Sequence, residues 1–578
     1  MRLLLFLFTL STMPLLAAHP DNIKFIEVTP LPGFRHSPWF GEQVREEWHE
    51  GCRFMMNVSG DFDGKKPTHL VIFATPNGNT IEQTLGCGKA EGMAFNFDIQ
   101  HVAAQVRRLR ELTSDENTVL AVVEANGLSW PTFRSKFKDN PERIKKLVER
   151  ITALVPGDSH ITLTGHSGGG SFITGFINAD ETLPNGVTRI GYLDSNYSYS
   201  DDEKHGDKLL AWLQADKGHR LIVIAYDDRE IMLNGKKVVS ETGGTWRATD
   251  RMLTRFKKDV TFEESKEGDF DHYTAIDKRL AIHRHRNPMN KILHTALVGE
   301  MNGLMEVLAD GRDLKWGTFP GPRAYTKWVQ PAPGIPPRAK DAKDAFVLIM
   351  TMSSKVRERE LEILKELLAG NLPEFERKFV TVKFDARDTA GKSHTVSIDV
   401  MPDYLALGSD DRFIRMPMTP QTATRLSDAW GCVLPTRALV DRIHEAATVK
   451  LEPKPLGEPR EALEQFANHN SIIEDQRKGK PLGDLISGVK KDIVFSNRIF
   501  EKPNRLAIYG WHQLDGKAIQ PLTIVHVDHY VDYSHGVRFM KRTVMVDGKP
   551  RDIRDLYRDA VLSPLVSDEG VLTHPGYE

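Results

Sequence analysis

A serine framed by glycines between a β-like run and a helix-like run is the tightest constraint this chain places on its fold. The segment Leu163-Thr164-Gly165-His166-Ser167-Gly168-Gly169-Gly170-Ser171 carries G-x-S-x-G. Upstream, His160 to Thr164 is β-branched and bounded by the turn Pro156-Gly157-Asp158. Downstream, Ser171 to Ile177 reads as an apolar helix. A serine at so sharp a strand-to-helix turn holds a strained backbone, and Gly165 and Gly169 keep neighbouring chain clear of it. The turn also aims the N–H of Gly168, at a helix start, toward an oxyanion formed by attack of Ser167.

The flanking sequence extends the pattern. Strand-like runs at 69–75, 118–124, 160–164, 187–193 and 220–226 alternate with helical stretches at 99–109, 144–151 and around 208–213. Such alternation predicts an α/β architecture, a mostly parallel sheet with helices on both faces. At 578 residues the chain exceeds one hydrophobic core. The proline-rich run Gln330 to Arg338 marks a linker. The expected division is a signal peptide over 1–18, a first domain over 19–330, a linker over 331–340 and a smaller α+β domain over 341–578. In that second domain 345–350 and 395–400 look like strands and 357–368 like a charged helix.

Met1-Arg2, the apolar run to Leu10 and the exit through Ala17-Ala18 have the form of an export signal. The expected location is secreted or periplasmic, with no membrane association beyond export. The net charge of −2, with both signs intermixed, gives no footprint for nucleic acid. Of the three cysteines, Cys52 and Cys87 could pair in an oxidising compartment, leaving Cys432 over.

With these elements in place the first half, roughly residues 25–310, resembles the α/β-hydrolase family. The resemblance implies a Ser, Asp/Glu, His triad in that chain order, with the nucleophile after the fifth strand, the acid after the seventh and a histidine after the eighth. Carried onto this sequence, the acid falls on Asp228, beside Asp227, at the end of the 220–226 run. Asp194, at the end of the preceding strand, is the fallback, and any of these aspartates could instead cap a turn or helix. The base falls on His294 in preference to His272, whereas His283 and His285 read as an exposed basic run. A second oxyanion donor should come from Asn77, Gly78 or Asn79. Trp130, Pro131, Phe133, Tyr197 and Tyr199 follow strand ends and could line the substrate site.

The implied chemistry is acyl transfer from a small-molecule or polymer-derived ester or amide, with no cofactor and no resident metal. Two other readings share the chain. One is a hydrolase-fold binding module without a working base. The other centres on Cys432, read as lying ahead of a helix, with His529 and His535 downstream. That order is similar to papain-like cell-wall amidases, and a buried, inert Cys432 is the alternative. His526, Asp528, His529 and His535 could also ligate a metal, although strand alternation separates His526 from His529.

Overall fold

The computed structural model describes residues 29–573 and 576–577. The segment read as an export signal lies outside them. Among the described residues no helix is long and apolar enough to cross a membrane. The chain divides between Ala332 and Pro333 into two compact units, and the described residues 29–41 group with the second rather than with the first.

The first unit is built on one sheet. Its strands are β1 (Glu42–His49), β2 (Cys52–Ser59), β3 (Thr68–Ala74), β4 (Asn117–Ala125), β5 (Ser159–His166), β6 (Val187–Leu193), β7 (Arg220–Tyr226), β8 (Glu263–Glu267), β9 (Phe270–Ala275) and β10 (Leu280–His285). They lie in the order β1-β2-β4-β3-β5-β6-β7-β10-β9-β8. From β4 through β10 every neighbouring pair is parallel, and antiparallel pairs flank this block on both sides. Leu70 to Ala74 and Leu221 to Ala225 are wholly buried, as expected of parallel strands covered on both faces. One face packs Val71, Phe73, Leu120, Val122 and Ile224 against α1 (Val102–Leu112). Ile144, Leu147, Val148 and Ile151 are the buried stripe of the amphipathic α2 (Asn140–Ala153). This unit has the α/β-hydrolase fold, and Ser167 follows β5 as the resemblance implies.

Several local readings change. The helix-like segment 296–305 forms turns as far as Met301 and is helical only from Gly303, in the short helix Gly303–Ala309, and the strand-like run 260–262 lies just ahead of β8. His283 and His285 belong to β10, where His283 is buried and not on an exposed basic face, because that strand is enclosed by β7 and β9. Cys52 and Cys87 do not pair. All three cysteines are free and buried.

The second unit combines helices with small, mostly antiparallel sheets. Val380–Arg387 and Ser393–Val400 pair in register, and Val356–Leu368 is the charged helix. Residues 345–350 are helical rather than extended: Asp344 caps the helix Ala345–Thr351 by accepting the N–H groups of Phe346 and Val347.

Candidate active site

The turn after β5 has the geometry its sequence demands. Ser167 stands at φ 54°, a left-handed conformation that a side-chain-bearing residue holds only under constraint. Helix α3 (Gly170–Ile177) follows within three residues. The glycines are required by close approach. A Cβ on Gly169 would sit 2.4 Å from the Ala74 carbonyl oxygen, and one on Gly170 would sit 1.6 Å from that of Ser195.

His294 lies in the loop after β10, and its Nδ1 stands 2.5 Å from Asp194 Oδ2. Asp194 is wholly buried directly after β6 and is itself left-handed, at φ 45°. Its other oxygen, Oδ1, accepts the Thr245 hydroxyl. The partner of His294 is therefore Asp194, one strand earlier than the preferred Asp228.

Asp228 has another task. Its Oδ2 accepts the Thr245 N–H at 2.8 Å, at the start of α4 (Thr245–Phe256). The residue before that helix is Gly244 at φ 96°, where a Cβ would strike the Asp228 carboxylate at 2.5 Å. Asp228 thus closes a helix N-terminus, where orphan N–H groups and the helix dipole favour an anion. Burial and then the charge of Asp194 push its pKa up to about 6, against the opposing pull of the N–H groups. Asp227 is engaged by Arg229 through paired contacts of 2.8 and 2.6 Å. His272 does not approach this site through any hydrogen bond: on β9 its Nδ1 meets that of His283 across the strand pair at 2.7 Å.

A buried polar chain that the sequence did not reveal ties the His294 loop to the serine turn. Asn96 donates to Asn79 Oδ1 at 2.7 Å, Asn79 to Gln100 Oε1 at 3.4 Å, and Gln100 to His166 Nδ1 at 3.0 Å. His166 Nε2 then donates to the His294 carbonyl at 3.0 Å. Burial, followed by the neighbouring His294, holds His166 neutral, well below the usual histidine range. With Nδ1 accepting and Nε2 donating, its tautomer is fixed by its partners. The His166 and His294 rings also meet at 4.4 Å between centroids, which sets His294 beside the residue preceding Ser167.

The loop after β3 narrows the choice of oxyanion donor. The Gly78 N–H is taken by the Leu128 carbonyl at 2.8 Å, and that of Asn79 by Pro76 at 3.3 Å. The Asn77 N–H has no partner among the described residues. Asn77 is exposed, and a Cβ on Gly168 would lie 2.0 Å from its Oδ1, so the two residues touch. The Gly168 N–H, in the first turn of a helix, is spare as well.

Of the aromatic residues expected to line the site, Trp130 and Phe133 are core, packed with Phe172, and Tyr199 is buried with its hydroxyl on Asp201. Tyr197 alone of the group is both exposed and beside His294, 6.5 Å between ring centroids.

The cysteine-centred alternative does not assemble. Cys432 lies on a short strand paired with Met540–Lys541, and the next helix starts only at Arg437, capped by Thr436. Burial pushes its thiol up to about 12, the opposite of activation. His535 sits on a different sheet, paired with Lys491, and His529 is largely exposed. Residues 524–534 are mostly irregular rather than a strand.

No family model matches the chain, and no curated protein does. Solved structures do. A cold-adapted esterase from an Arctic intertidal metagenomic library aligns at 10% identity over 48% of this chain and 97% of its own, with TM-score 0.29. A siderophore hydrolase from Aspergillus nidulans aligns at 11% identity over 49% and 97%, with TM-score 0.25. The feruloyl esterase module from Clostridium thermocellum aligns at 12% identity over 36% and 72%, with TM-score 0.23.

Proposed function

We propose that the first unit is a serine hydrolase of esters or amides, with Ser167 as nucleophile, His294 as base and Asp194 as its partner acid. The observation that carries this reading is the His294–Asp194 pair at 2.5 Å, tethered by the His294 carbonyl to His166, the residue before a left-handed Ser167.

In this mechanism His294 Nδ1–H donates to Asp194, which leaves Nε2 without a proton and able to take that of Ser167. Ser167 Oγ attacks the carbonyl carbon, and the resulting oxyanion is held by the N–H groups of Gly168 and Asn77. Asp194 stays ionised and stabilises the imidazolium. His294 then returns the proton to the departing alcohol or amine, and water attacks the acyl-enzyme with the same base. Tyr197, beside His294, is the aromatic surface that a substrate meets. Export belongs to this reading on the strength of the Met1 to Ala18 pattern, and the N-terminus of the mature protein tests it.

The deciding experiment is fluorophosphonate labelling of the folded protein with peptide mapping. Label on the Ser167 peptide, lost in Ser167→Ala and strongly slowed in His294→Ala, is the expected result. An unlabelled folded protein, or equal labelling of His294→Ala, overturns the assignment.

A further inference from the structure

A second cluster occupies the opposite end of the sheet. His69 on β3 and His160 on β5 are direct partners across the parallel pair, near the strands' amino ends, and their rings stack at 4.7 Å. Ser167 follows the carboxyl end of β5, so seven residues of extended chain, about 23 Å, separate it from His160. Glu116, immediately before β4, approaches both imidazoles. Its Oε1 lies 3.9 Å from His69 Nδ1 and its Oε2 lies 3.8 Å from His160 Nε2. One ligand atom from each of the three residues falls within 4.8 Å of the other two.

His69 is the telling member. It is 2% exposed, its Nε2 is fixed by Thr162 Oγ1 at 2.7 Å, and its Nδ1 is buried with no hydrogen-bond partner. A buried ring nitrogen aimed at a carboxylate beyond hydrogen-bonding reach is costly unless something lies between them. We propose that His69 Nδ1, His160 Nε2 and Glu116 Oε2 bind one divalent d-block cation of the zinc type, with water completing the coordination.

Three facts favour such an ion. Two imidazoles and a carboxylate match zinc's nitrogen and oxygen preferences, and bonds of roughly 2.0–2.1 Å place tetrahedral ligand atoms about 3.3 Å apart. The 3.8 Å between His160 Nε2 and Glu116 Oε2 closes to that value by about half an ångström, and one ligand atom from each residue within 4.8 Å of the others keeps the set within reach of side-chain adjustment. Thr162 on the far nitrogen of His69 is the orienting contact that ligating histidines typically have. His160 is partly exposed, which provides an entry route.

The surrounding charges set the terms. Arg312 holds Glu116 Oε1 at 2.6 Å and leaves Oε2 for the metal. Arg189 is engaged by the Val307 and Asp310 carbonyls. The ion would tie β3, β5 and the segment entering β4 together, a structural role independent of the proposed serine chemistry.

The test uses untagged full-length protein, stripped with chelator and dialysed against Zn²⁺ alone. Expected results are one zinc per chain by elemental analysis, a raised thermal midpoint, and the visible d–d absorption of tetrahedral Co²⁺ on substitution. His160→Ala and Glu116→Gln, each verified as folded by circular dichroism, should lose at least tenfold in zinc affinity while ester turnover stays unchanged. Failure of the folded wild-type protein to take up stoichiometric zinc, or equal uptake by both variants, overturns the proposal.

Discussion

Asp194→Asn is the substitution that separates this site from the arrangement expected on the seventh strand. The side chain keeps its shape, so the buried position after β6 and the bond with the Thr245 hydroxyl can both survive. The contact with His294 cannot survive unchanged, because Asn offers one acceptor and one NH₂ where the carboxylate offered two acceptors. With NH₂ turned toward His294 Nδ1, the imidazole takes the proton on Nε2 and cannot accept the one on Ser167. With the oxygen turned toward it, the tautomer is retained but the imidazolium loses its counter-charge at 2.5 Å. Loss of the acid in a Ser-His-Asp system lowers kcat about 10⁴-fold, equivalent to roughly 5.5 kcal/mol of transition-state stabilisation. Asp228→Asn contrasts with this, since Asn also caps helices and Asp228 bonds Thr245 rather than His294, so kcat should stay within about tenfold of wild type. Initial rates on a p-nitrophenyl ester at pH 8, with unfolding midpoints as control, measure both. Equal losses in the two variants, or near wild-type turnover by Asp194→Asn, would refute the assignment of Asp194.

Asp228 also yields a stability prediction. Its folded pKa of about 6 lies above the unfolded value of 3.8, so ionising it costs up to about 3 kcal/mol, a cost absent below about pH 4 and complete above about pH 7. The stability of Asp228→Asn relative to wild type should therefore rise between those limits, and denaturant melts across that range check it. Gly170→Ala should cost at least about 1–3 kcal/mol and most of the activity, because its Cβ falls 1.6 Å from the Ser195 carbonyl oxygen; calorimetry and ester turnover read the two effects. All three thiols should resist alkylation in the native state and react after unfolding, with activity untouched by iodoacetamide, since each is buried with its pKa raised.

What the sequence reveals and conceals follows from the range of the interactions involved. The Ser167 turn is legible because its requirements are local: glycine where backbone crowds in, a β-branched run before it and an apolar helix after it. The strand–helix alternation is legible for the same reason, and with it the fold of the first unit. The identity of the acid is not a local property. Asp194 and Asp228 each end a buried strand, and from sequence nothing distinguishes them, because the choice is made by where the His294 loop comes down and by which carboxylate the α4 N-terminus claims. Thr245 resolves it, giving its N–H to Asp228 and its hydroxyl to Asp194 across separations of 17 and 51 residues. The Asn79–Gln100–His166 chain was hidden likewise, since each of its members reads as an ordinary polar residue until β3, β5 and the segment before α1 converge. Cys432 shows the converse error. A thiol a few residues ahead of a helix looks activated, but Thr436 holds the cap, and burial on a strand, rather than the helix dipole, sets the thiol's chemistry.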